Sequence, residues 1–252
     1  MNSATHSSRA AFVIGAGGGI GQGAAQLLAQ RGVSVACVDR DGAAATATAA
    51  AIAENGDTAC SYTADITDMA SIADAFAAFC ESVGQVHSVI NSAGVQGQLG
   101  LPSHQVSLDD FDRVCNVNLR GALVVAQVVI PHMIEHGYGR IAHVASIAGK
   151  EGNPNMIAYS TSKAGLIGMV KAQGKEYGEH GITINALAPA VIHTPFLDTQ
   201  PQATLDYMIA KIPMKRVGTI LEAAQILAWM VSDECSFTTG FTFDLSGGRA
   251  TY

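Results

Sequence analysis

The sequence has few charged residues, few aromatic residues and no long uninterrupted hydrophobic run. Only 14% of its 252 residues are charged and 6% are aromatic, whereas 48% are hydrophobic. This composition excludes a disordered chain, because disorder requires low hydrophobicity and high charge. The formal net charge of -7 argues against binding to nucleic acid or to anionic membrane surfaces. Both of those partners attract clustered Lys and Arg.

The sequence also shows neither the spacing of paired cysteines nor the layout of a targeting segment. Five cysteines contain no CxxC spacing, so we expect buried thiols in a reducing compartment. His132 and His136 share a helix face, but no neighbouring Glu or Cys pattern accompanies them, and we expect no metal site. The first ten residues do not resemble a signal peptide. The apolar stretch Gly121–Pro131 is shorter than the about 18 residues of a membrane span. We therefore expect a cytoplasmic protein without a membrane partner.

Short apolar runs alternate with helical patterns along the whole chain. The runs typical of buried strands are Ala11–Ile14, Val33–Val38, Ala59–Thr63, Val86–Asn91, Arg140–Ala145, Thr183–Leu187 and Phe241–Leu245. The helical patterns are Gly21–Arg31, Ala43–Asn55, Met69–Val83, Leu108–Glu135, Ile157–His180 and Leu221–Ser232. This alternation predicts an α/β fold, a single Rossmann-type domain whose doubly wound parallel sheet of about seven strands has helices on both faces.

Two segments break this alternation, and both follow a predicted strand. They are Gly97–Gln105 and the proline-containing stretch Pro189–Pro213. Ligands of parallel sheets bind beyond the carboxyl ends of the strands, so both segments lie at the expected functional edge. We expect a substrate lid over residues 189–213 within one domain that spans residues 1–252.

A glycine-rich turn after the first strand points to a dinucleotide. The run Gly15-Ala16-Gly17-Gly18-Gly19-Ile20-Gly21 leads directly into a helix, where glycine lets backbone amides approach a pyrophosphate. Asp39 closes the second strand at the spacing expected for a carboxylate that bonds the adenosine ribose. Such a carboxylate repels a 2′-phosphate, although the adjacent Arg40 could pair with one. The pattern therefore favours NAD over NADP.

Six motifs in chain order resemble those of the short-chain dehydrogenase/reductase family, and the resemblance covers the whole chain. They are the GxxxGxG turn Gly15–Gly21, the pair Asp65-Ile66, the NNAG-like Asn91-Ser92-Ala93-Gly94, the helical Asn118, Ser146, and Tyr159-x-x-x-Lys163. The resemblance implies an NAD-dependent oxidoreductase that acts on CH–OH groups. The implied cofactor-binding residues are Gly15, Gly19, Ile20, Gly21, Asp39, Arg40, Asp65, Ile66, Asn91, Ala93, Gly94, Tyr159, Lys163, Pro189, Ile192 and Thr194.

The same resemblance implies a catalytic tetrad of Asn118, Ser146, Tyr159 and Lys163. In the family the tyrosine exchanges a proton with the substrate oxygen, and the serine holds that oxygen. The lysine binds the nicotinamide ribose, and the asparagine supports a water relay. The residue chemistry agrees, since Tyr159 and Lys163 lie four apart on one helix face. An ammonium beside a phenol is expected to lower the pKa of the phenol.

Three further segments are similar to a branch that acts on 2-keto-3-deoxy sugar acids, such as the L-fuconate and L-rhamnonate 4-dehydrogenases. They are Lys150–Asn155, Pro189–Pro195 and Phe243–Tyr252. A sugar acid needs a cation for its carboxylate, and Lys150 and Arg249 are the candidates. Together with Ser146, Tyr159 and His193 they make up the expected substrate contacts.

Two other interpretations remain open at this stage. The same fold could reduce a carbonyl compound such as a 3-oxoacyl thioester. In a different class, the chain could be a catalytically silent NAD-binding regulatory protein, which the retention of all four tetrad residue types opposes. The resemblance also implies a homotetramer built through the helices Leu108–Glu135 and Ile157–His180.

Overall fold

A parallel sheet of seven strands forms the centre of the computed structural model, which describes residues 9–194, 197, 202–250 and 252. The strands are β1 Ala10–Ile14, β2 Ser34–Asp39, β3 Ala59–Thr63, β4 Ser88–Asn91, β5 Gly139–Val144, β6 Ile182–Pro189 and β7 Thr242–Leu245. Their order is β3-β2-β1-β4-β5-β6-β7, and all neighbours pair in parallel. The predicted fold class is confirmed.

The helices lie close to the predicted positions. They are α1 Gly19–Gln30, α2 Gly42–Glu54, α3 Met69–Val83, α4 Leu108–Cys115, α5 Gly121–Glu135, α6 Ala148–Glu151, α7 Ile157–Glu176, α8 Gln202–Ala210 and α9 Ile220–Met230. Short 3₁₀ turns cover Ser103–Gln105 and Gly178–His180.

The sheet is buried on both faces, and this explains the continuous apolar runs of its strands. In β1, Phe12 and Ile14 pack toward α3, α5 and α7, whereas Ala11 and Val13 pack toward α1, α2 and α9. Small residues dominate the second face, where α1 and α9 approach closely. The five cysteines are free thiols, of which Cys37 and Cys235 are buried.

Two predicted elements differ from the structure in instructive ways. The predicted helix Leu108–Glu135 is interrupted by a five-residue π-helical turn, Asn116–Arg120, between α4 and α5. The predicted loop Lys150–Asn155 begins within the one-turn helix α6. Both differences concern backbone hydrogen-bond patterns, which residue periodicity does not report.

The helical stretch 108–135 is long and apolar enough, by composition, to cross a membrane. Its most apolar window has a mean hydropathy of 1.5 and is 50% buried. The apolar run Gly121–Pro131 noted in the sequence is shorter than this stretch, because it counts only uninterrupted apolar residues. In this fold Val125, Val129 and Met133 lie in the core beneath the sheet. The apolar side of the stretch is thus the face that packs against the protein's own interior.

The crossover of the chain creates a crevice at one sheet edge. From β1 the chain runs outward through β2 and β3, and then returns to the other side of β1 to form β4. The carboxyl ends of β1 and β4 consequently open a ligand-binding position. The predicted lid Pro189–Pro213 includes α8, while its residues 195, 196 and 198–201 lie outside the described residues, as do residues 1–8.

Candidate active site

A cleft of about 480 Å³ opens at the carboxyl ends of β1, β2, β3 and β4. This volume falls within the range of about 300–1,000 Å³ that is typical of small-molecule sites. Its lining residues are Ile14, Gly15, Gly18, Asp39, Arg40, Ala64, Asp65, Ile66, Thr67, Ser92, Ala93, Gly94, Val95, Arg113, Asn116 and Val117.

The floor of the cleft is a backbone turn that only glycine can form. Gly15 has a φ of 79°, and a Cβ there would lie 2.7 Å from the backbone nitrogen of Ala93. A Cβ on Gly21 would lie 2.1 Å from the carbonyl oxygen of Gly15. The glycines therefore let the first turn of α1 pack against the strand ends and leave the backbone open to a ligand.

Asp39 is held in place at the mouth of the cleft. The N–H of Gly17 donates to its Oδ2 at 3.0 Å, and the N–H of Asp41 donates to its Oδ1 at 3.0 Å. These bonds connect the carboxylate to the glycine-rich turn, so its position is fixed before any ligand binds.

Asp65, Ile66 and Arg40 form one wall of the cleft. The N–H and Oγ1 of Thr67 both donate to Asp65 Oδ1, at 2.8 Å and 2.7 Å. These hydrogen bonds, aided by the charge of Arg40, lower the pKa of the Asp65 carboxyl below its ordinary value. The wall thus carries a fixed anion beside an exposed cation.

Asn118 lies in the π-helical turn and is almost fully buried. Its Oδ1 accepts the N–H of Val95 at 2.8 Å, while its Nδ2 donates to the Val95 carbonyl at 2.9 Å and to Ser162 Oγ at 3.0 Å. The side chain therefore ties the segment after β4 to α7. A π turn at a functional position is a common occurrence.

Lys163 and Tyr159 lie side by side on α7, as their spacing predicts. The Lys163 ammonium is 5.8 Å from the centre of the Tyr159 ring and donates to the carbonyl oxygen of Val144 at 2.7 Å. Burial lowers the pKa of Lys163 to about 8, so the side chain is largely charged at neutral pH.

The pKa of Tyr159 is raised, which contradicts the expectation from sequence. Burial disfavours the phenolate and outweighs the opposing effect of a hydrogen bond with Ser146. The expected lowering assumed an ammonium in contact with the phenol, whereas Lys163 is directed to a backbone carbonyl. Ser146 itself is buried, and its Oγ accepts the N–H of Ala148 at 3.1 Å.

Lys150 is paired within the chain. Its ammonium lies 2.9 Å and 2.8 Å from the two carboxylate oxygens of Asp244, and its side chain is only 8% exposed. The hydroxyl of Tyr252 donates to the Lys150 carbonyl, and the Tyr252 ring lies 4.8 Å from the ammonium. This predicted substrate contact therefore joins α6 to β7 and the residues after it.

Arg249 is also paired, with the segment that follows α6. Its Nε and Nη2 donate to Glu151 Oε2 at 3.0 Å and 2.8 Å, and its Nη2 donates to Asn153 Oδ1 at 3.0 Å. The N–H of Asn153 in turn donates to Ser160 Oγ on α7. Arg249 is thus connected to the helix that carries Tyr159.

The remaining predicted contacts lie around the same edge. Thr194 approaches the glycine-rich turn, since a Cβ on Gly19 would be 3.5 Å from its Cγ2. Ile192 forms a parallel bridge with Gly218, and the N–H of His193 donates to the Gly218 carbonyl at 2.7 Å. Pro189 ends β6, and Ile20 packs against the small-residue face of the sheet.

Several residues of the cleft were not predicted from the sequence. Gly18, Ser92 and Thr67 adjoin predicted residues, so their proximity could have been inferred. Arg113, Asn116 and Val117 come from α4 and the π turn. No motif marks them, because their position depends on how that helix packs across the sheet edge.

The two histidines at i and i+4 are occupied by other contacts. The Nε2 of His132 accepts the N–H of Val86 at 3.1 Å, and the His136 ring stacks at 4.2 Å from it. Among the residues that the structure describes, no group of three or more His, Cys, Asp or Glu side chains is placed to hold a metal ion.

The geometry fits a dinucleotide such as NAD. The glycine turn leaves backbone where side chains would otherwise stand. The positive end of α1 faces this turn, and an anionic phosphate is stabilised at such a position. Asp39 and Asp65 offer carboxylate acceptors along the same cleft.

Comparison with known proteins agrees with this geometry. A family model described as Enoyl-(Acyl carrier protein) reductase matches residues 15–250. The chain is 44% identical to a 2-dehydro-3-deoxy-L-rhamnonate dehydrogenase (NAD(+)) of Sphingomonas sp. (strain SKA58), over 98% of this chain and 97% of that protein.

More distant relatives match nearly the whole chain. The chain is 32% identical to a 3-oxoacyl-(acyl-carrier-protein) reductase of Thermotoga maritima, over 94% of this chain and 96% of the relative. The crystal structure of NAD+-bound xylitol dehydrogenase is similar with a TM-score of 0.91 and 32% identity, covering 95% of this chain and 98% of that one.

Proposed function

The chain belongs to the short-chain dehydrogenase/reductase family, and we propose that it is an NAD-dependent dehydrogenase that oxidises a secondary hydroxyl of a 2-keto-3-deoxy sugar acid. The observation that carries this proposal is the placement, at one sheet edge, of a glycine-floored cleft with Asp39 at its mouth, whose lining residue Gly94 lies against Lys163 of the Tyr159–Lys163 pair. The 44% identity to an NAD(+)-dependent 2-dehydro-3-deoxy-L-rhamnonate dehydrogenase supports the substrate class.

In this proposal Tyr159 removes the proton from the substrate hydroxyl through its phenolate oxygen. Ser146 Oγ donates a hydrogen bond to the same substrate oxygen, which fixes the carbon that loses hydride. Lys163 supplies positive charge beside the phenolate, and Asn118 holds the segment after β4 against α7. NAD, when bound, accepts the hydride.

The remaining cofactor contacts follow the cleft. Gly15, Gly19 and Gly21 admit the pyrophosphate, while Asp39 accepts the ribose hydroxyls. Arg40, Asp65 and Ile66 form the adenine side. Residues 189–213 serve as the lid of a single domain over residues 1–252, with Ile192 and Thr194 near the glycine turn.

We assign the substrate carboxylate to Arg249 and a structural role to Lys150. Both oxygens of Asp244 bind the Lys150 ammonium, so this cation is already neutralised in a mostly buried pair. Arg249 uses its fork on a single oxygen of Glu151 and on Asn153. A planar guanidinium has five donors, and it can therefore bind a second carboxylate.

The decisive experiment follows NADH formation with purified protein, NAD, and sugar acids paired with their neutral sugar counterparts. We expect turnover of the acids only. In Arg249→Met the KM for the acid should rise by about tenfold or more, because a charge-assisted hydrogen bond to the substrate is lost. Lys150→Met should instead lower Tm, because it leaves Asp244 unpaired in a partly buried position.

Three outcomes would contradict parts of this proposal. Equal turnover of neutral sugars would remove the sugar-acid assignment and leave the dehydrogenase proposal intact. An unchanged KM in Arg249→Met would remove its role in binding the carboxylate. Absence of turnover with every alcohol, together with measurable NAD binding, would favour the silent regulatory interpretation.

Reduction of a 3-oxoacyl thioester is the second candidate, because the chain is 32% identical to a reductase of that class. Asp39 opposes the NADPH use that such a reductase would need, since its carboxylate repels a 2′-phosphate. Oxidation of NADPH by acetoacetyl thioesters at rates above those of sugar-acid oxidation would reverse the order of the two candidates.

The proposal includes assembly into a cytoplasmic homotetramer. Large apolar side chains are exposed on the two helical stretches expected to form the interface, namely Leu108, Leu123, Ile134 and Ile157. Two further exposed apolar side chains, Phe237 and Phe241, lie near β7. We expect sedimentation velocity to give a species of four 26.0 kDa chains, and a monomer at micromolar concentration would overturn the assignment. Cell fractionation tests the location.

A further inference from the structure

His143 is a fully buried histidine in the middle of the sheet. It lies on β5, directly opposite Asn91 on β4 and Ala186 on β6. Ser146 lies three positions further along the chain. Neither the sequence motifs nor the proposed mechanism gives this side chain a role.

A chain of hydrogen bonds connects His143 to the cleft. The N–H of Ala93 donates to Asn91 Oδ1 at 3.2 Å, and Asn91 Nδ2 lies 3.3 Å from His143 Nδ1. Because Asn91 Oδ1 already accepts from Ala93, its Nδ2 is the donor to the histidine. His143 Nδ1 is therefore the acceptor, and the neutral ring carries its proton on Nε2.

Burial of His143 lowers the stability of the fold. Its Nε2 is buried without a hydrogen-bond partner among the described residues, and an unsatisfied buried donor destabilises a fold. Burial and the nearby charge of Lys163 lower its pKa to about 4, so the ring is neutral at physiological pH. A residue that costs stability is expected at a position where function requires it.

The segment that this chain supports forms part of the site. Ser92, Ala93 and Gly94 line the cleft. Gly94 also lies against the tetrad, because a Cβ there would be 3.2 Å from Asn118 Oδ1 and 3.3 Å from Lys163 Nζ. The position of this turn thus affects both the cleft and the tetrad.

We propose that His143 is a positioning residue that fixes the Asn91 carboxamide and, through it, the Ser92–Gly94 turn for binding of the dinucleotide. The inference rests on the proposed use of NAD. In this proposal Asn91 supports the turn, because its Oδ1 and Nδ2 are both hydrogen-bonded within the protein. It also explains why an imidazole acceptor lies buried beside Asn91.

The test compares two variants of nearly equal shape, His143→Asn and His143→Leu. The asparagine Oδ1 stands where Nδ1 stood and can accept from Asn91, whereas leucine has no acceptor. We expect the Kd for NAD, measured by titration calorimetry, to rise about fivefold to tenfold in His143→Leu and to stay within twofold of wild type in His143→Asn.

Thermal unfolding separates positioning from packing. Both variants leave the same space, and the leucine avoids a buried polar group, so His143→Leu should have a Tm equal to or above that of His143→Asn. Compared with His143→Asn, the leucine variant should therefore bind NAD more weakly and yet have an equal or higher Tm. Thr183→Val, which alters another buried unpartnered group on β6 away from the cleft, should leave the Kd unchanged.

Several outcomes would overturn the inference. Equal NAD affinity in the asparagine and leucine variants would show that only packing matters. A Kd for NAD that rises as Tm falls across all three variants would also show that only packing matters. If His143→Leu does not fold, His143→Ala provides the acceptor-free variant. Failure of the wild-type protein to bind NAD would instead overturn the proposed function.

Discussion

Replacement of Tyr159 by Phe should reduce kcat by about a thousandfold while leaving NAD affinity within twofold of wild type. Positioned proton transfer contributes about 10²–10⁴ to a rate, and this substitution removes only the hydroxyl that carries the proton. The half-buried ring remains in place on α7, so the fold should keep its Tm. Steady-state kinetics with the sugar acid, calorimetric NAD titration and thermal unfolding measure the three quantities.

Tyr177→Phe is the matched control, because this tyrosine lies at the other end of the same helix. It should keep full activity. A Tyr159→Phe enzyme with more than a tenth of wild-type kcat would show that another group accepts the proton.

The pH profile gives an independent readout of the same residue. Burial raises the pKa of Tyr159 above its ordinary value, so the phenolate is the minor form at neutral pH. Its fraction grows about tenfold per pH unit below the pKa. We expect kcat/KM for alcohol oxidation to rise with pH between about 7 and 10 in the wild type, and not in Tyr159→Phe.

Replacement of Asp39 by Ala should lower the preference for NAD over NADP by about a hundredfold. The variant loses the acceptor for the ribose hydroxyls, which weakens use of NAD by about tenfold. It also loses the charge that repels a 2′-phosphate, which improves use of NADP by a similar factor. The ratio of kcat/KM with the two cofactors is the measurement, and an unchanged ratio would refute the role of Asp39.

Asp39→Asn separates charge from geometry. The amide oxygen can still accept one of the two backbone N–H groups that hold Asp39, from Gly17 or from Asp41. Use of NADP should improve as in the alanine variant, while use of NAD should fall less. Asp57→Asn, which precedes β3 at the opposite edge of the sheet, should change neither cofactor.

The fold could be predicted because parallel strands are buried on both faces. Runs such as Ala11–Ile14 are therefore continuously apolar, and glycines close the intervening helices. The glycine turn and Asp39 follow from spacing alone, because the βαβ unit places them together. Tyr159 and Lys163 follow from the helical repeat.

The remainder depends on contacts between distant parts of the chain. The pairs Lys150–Asp244 and Arg249–Glu151 join segments about a hundred residues apart, so the sequence offered both cations as candidates for the substrate carboxylate without showing either ion pair. The raised pKa of Tyr159 depends on burial, and the direction of the Lys163 ammonium is set by a backbone carbonyl. A single histidine in an apolar strand gave no signal of its link to Asn91.

The π turn at Asn116–Arg120 constrains the number of residues in this part of the chain more strongly than it constrains which side chains they carry. Each residue of an α-helix turns the chain by about 100°, and a π turn holds one residue more than an α turn. Deletion of one residue here would rotate α4 relative to α5 by that angle and carry Asn118 away from Val95. Among relatives of this protein, we expect insertions and deletions to avoid these five residues even where the side chains vary.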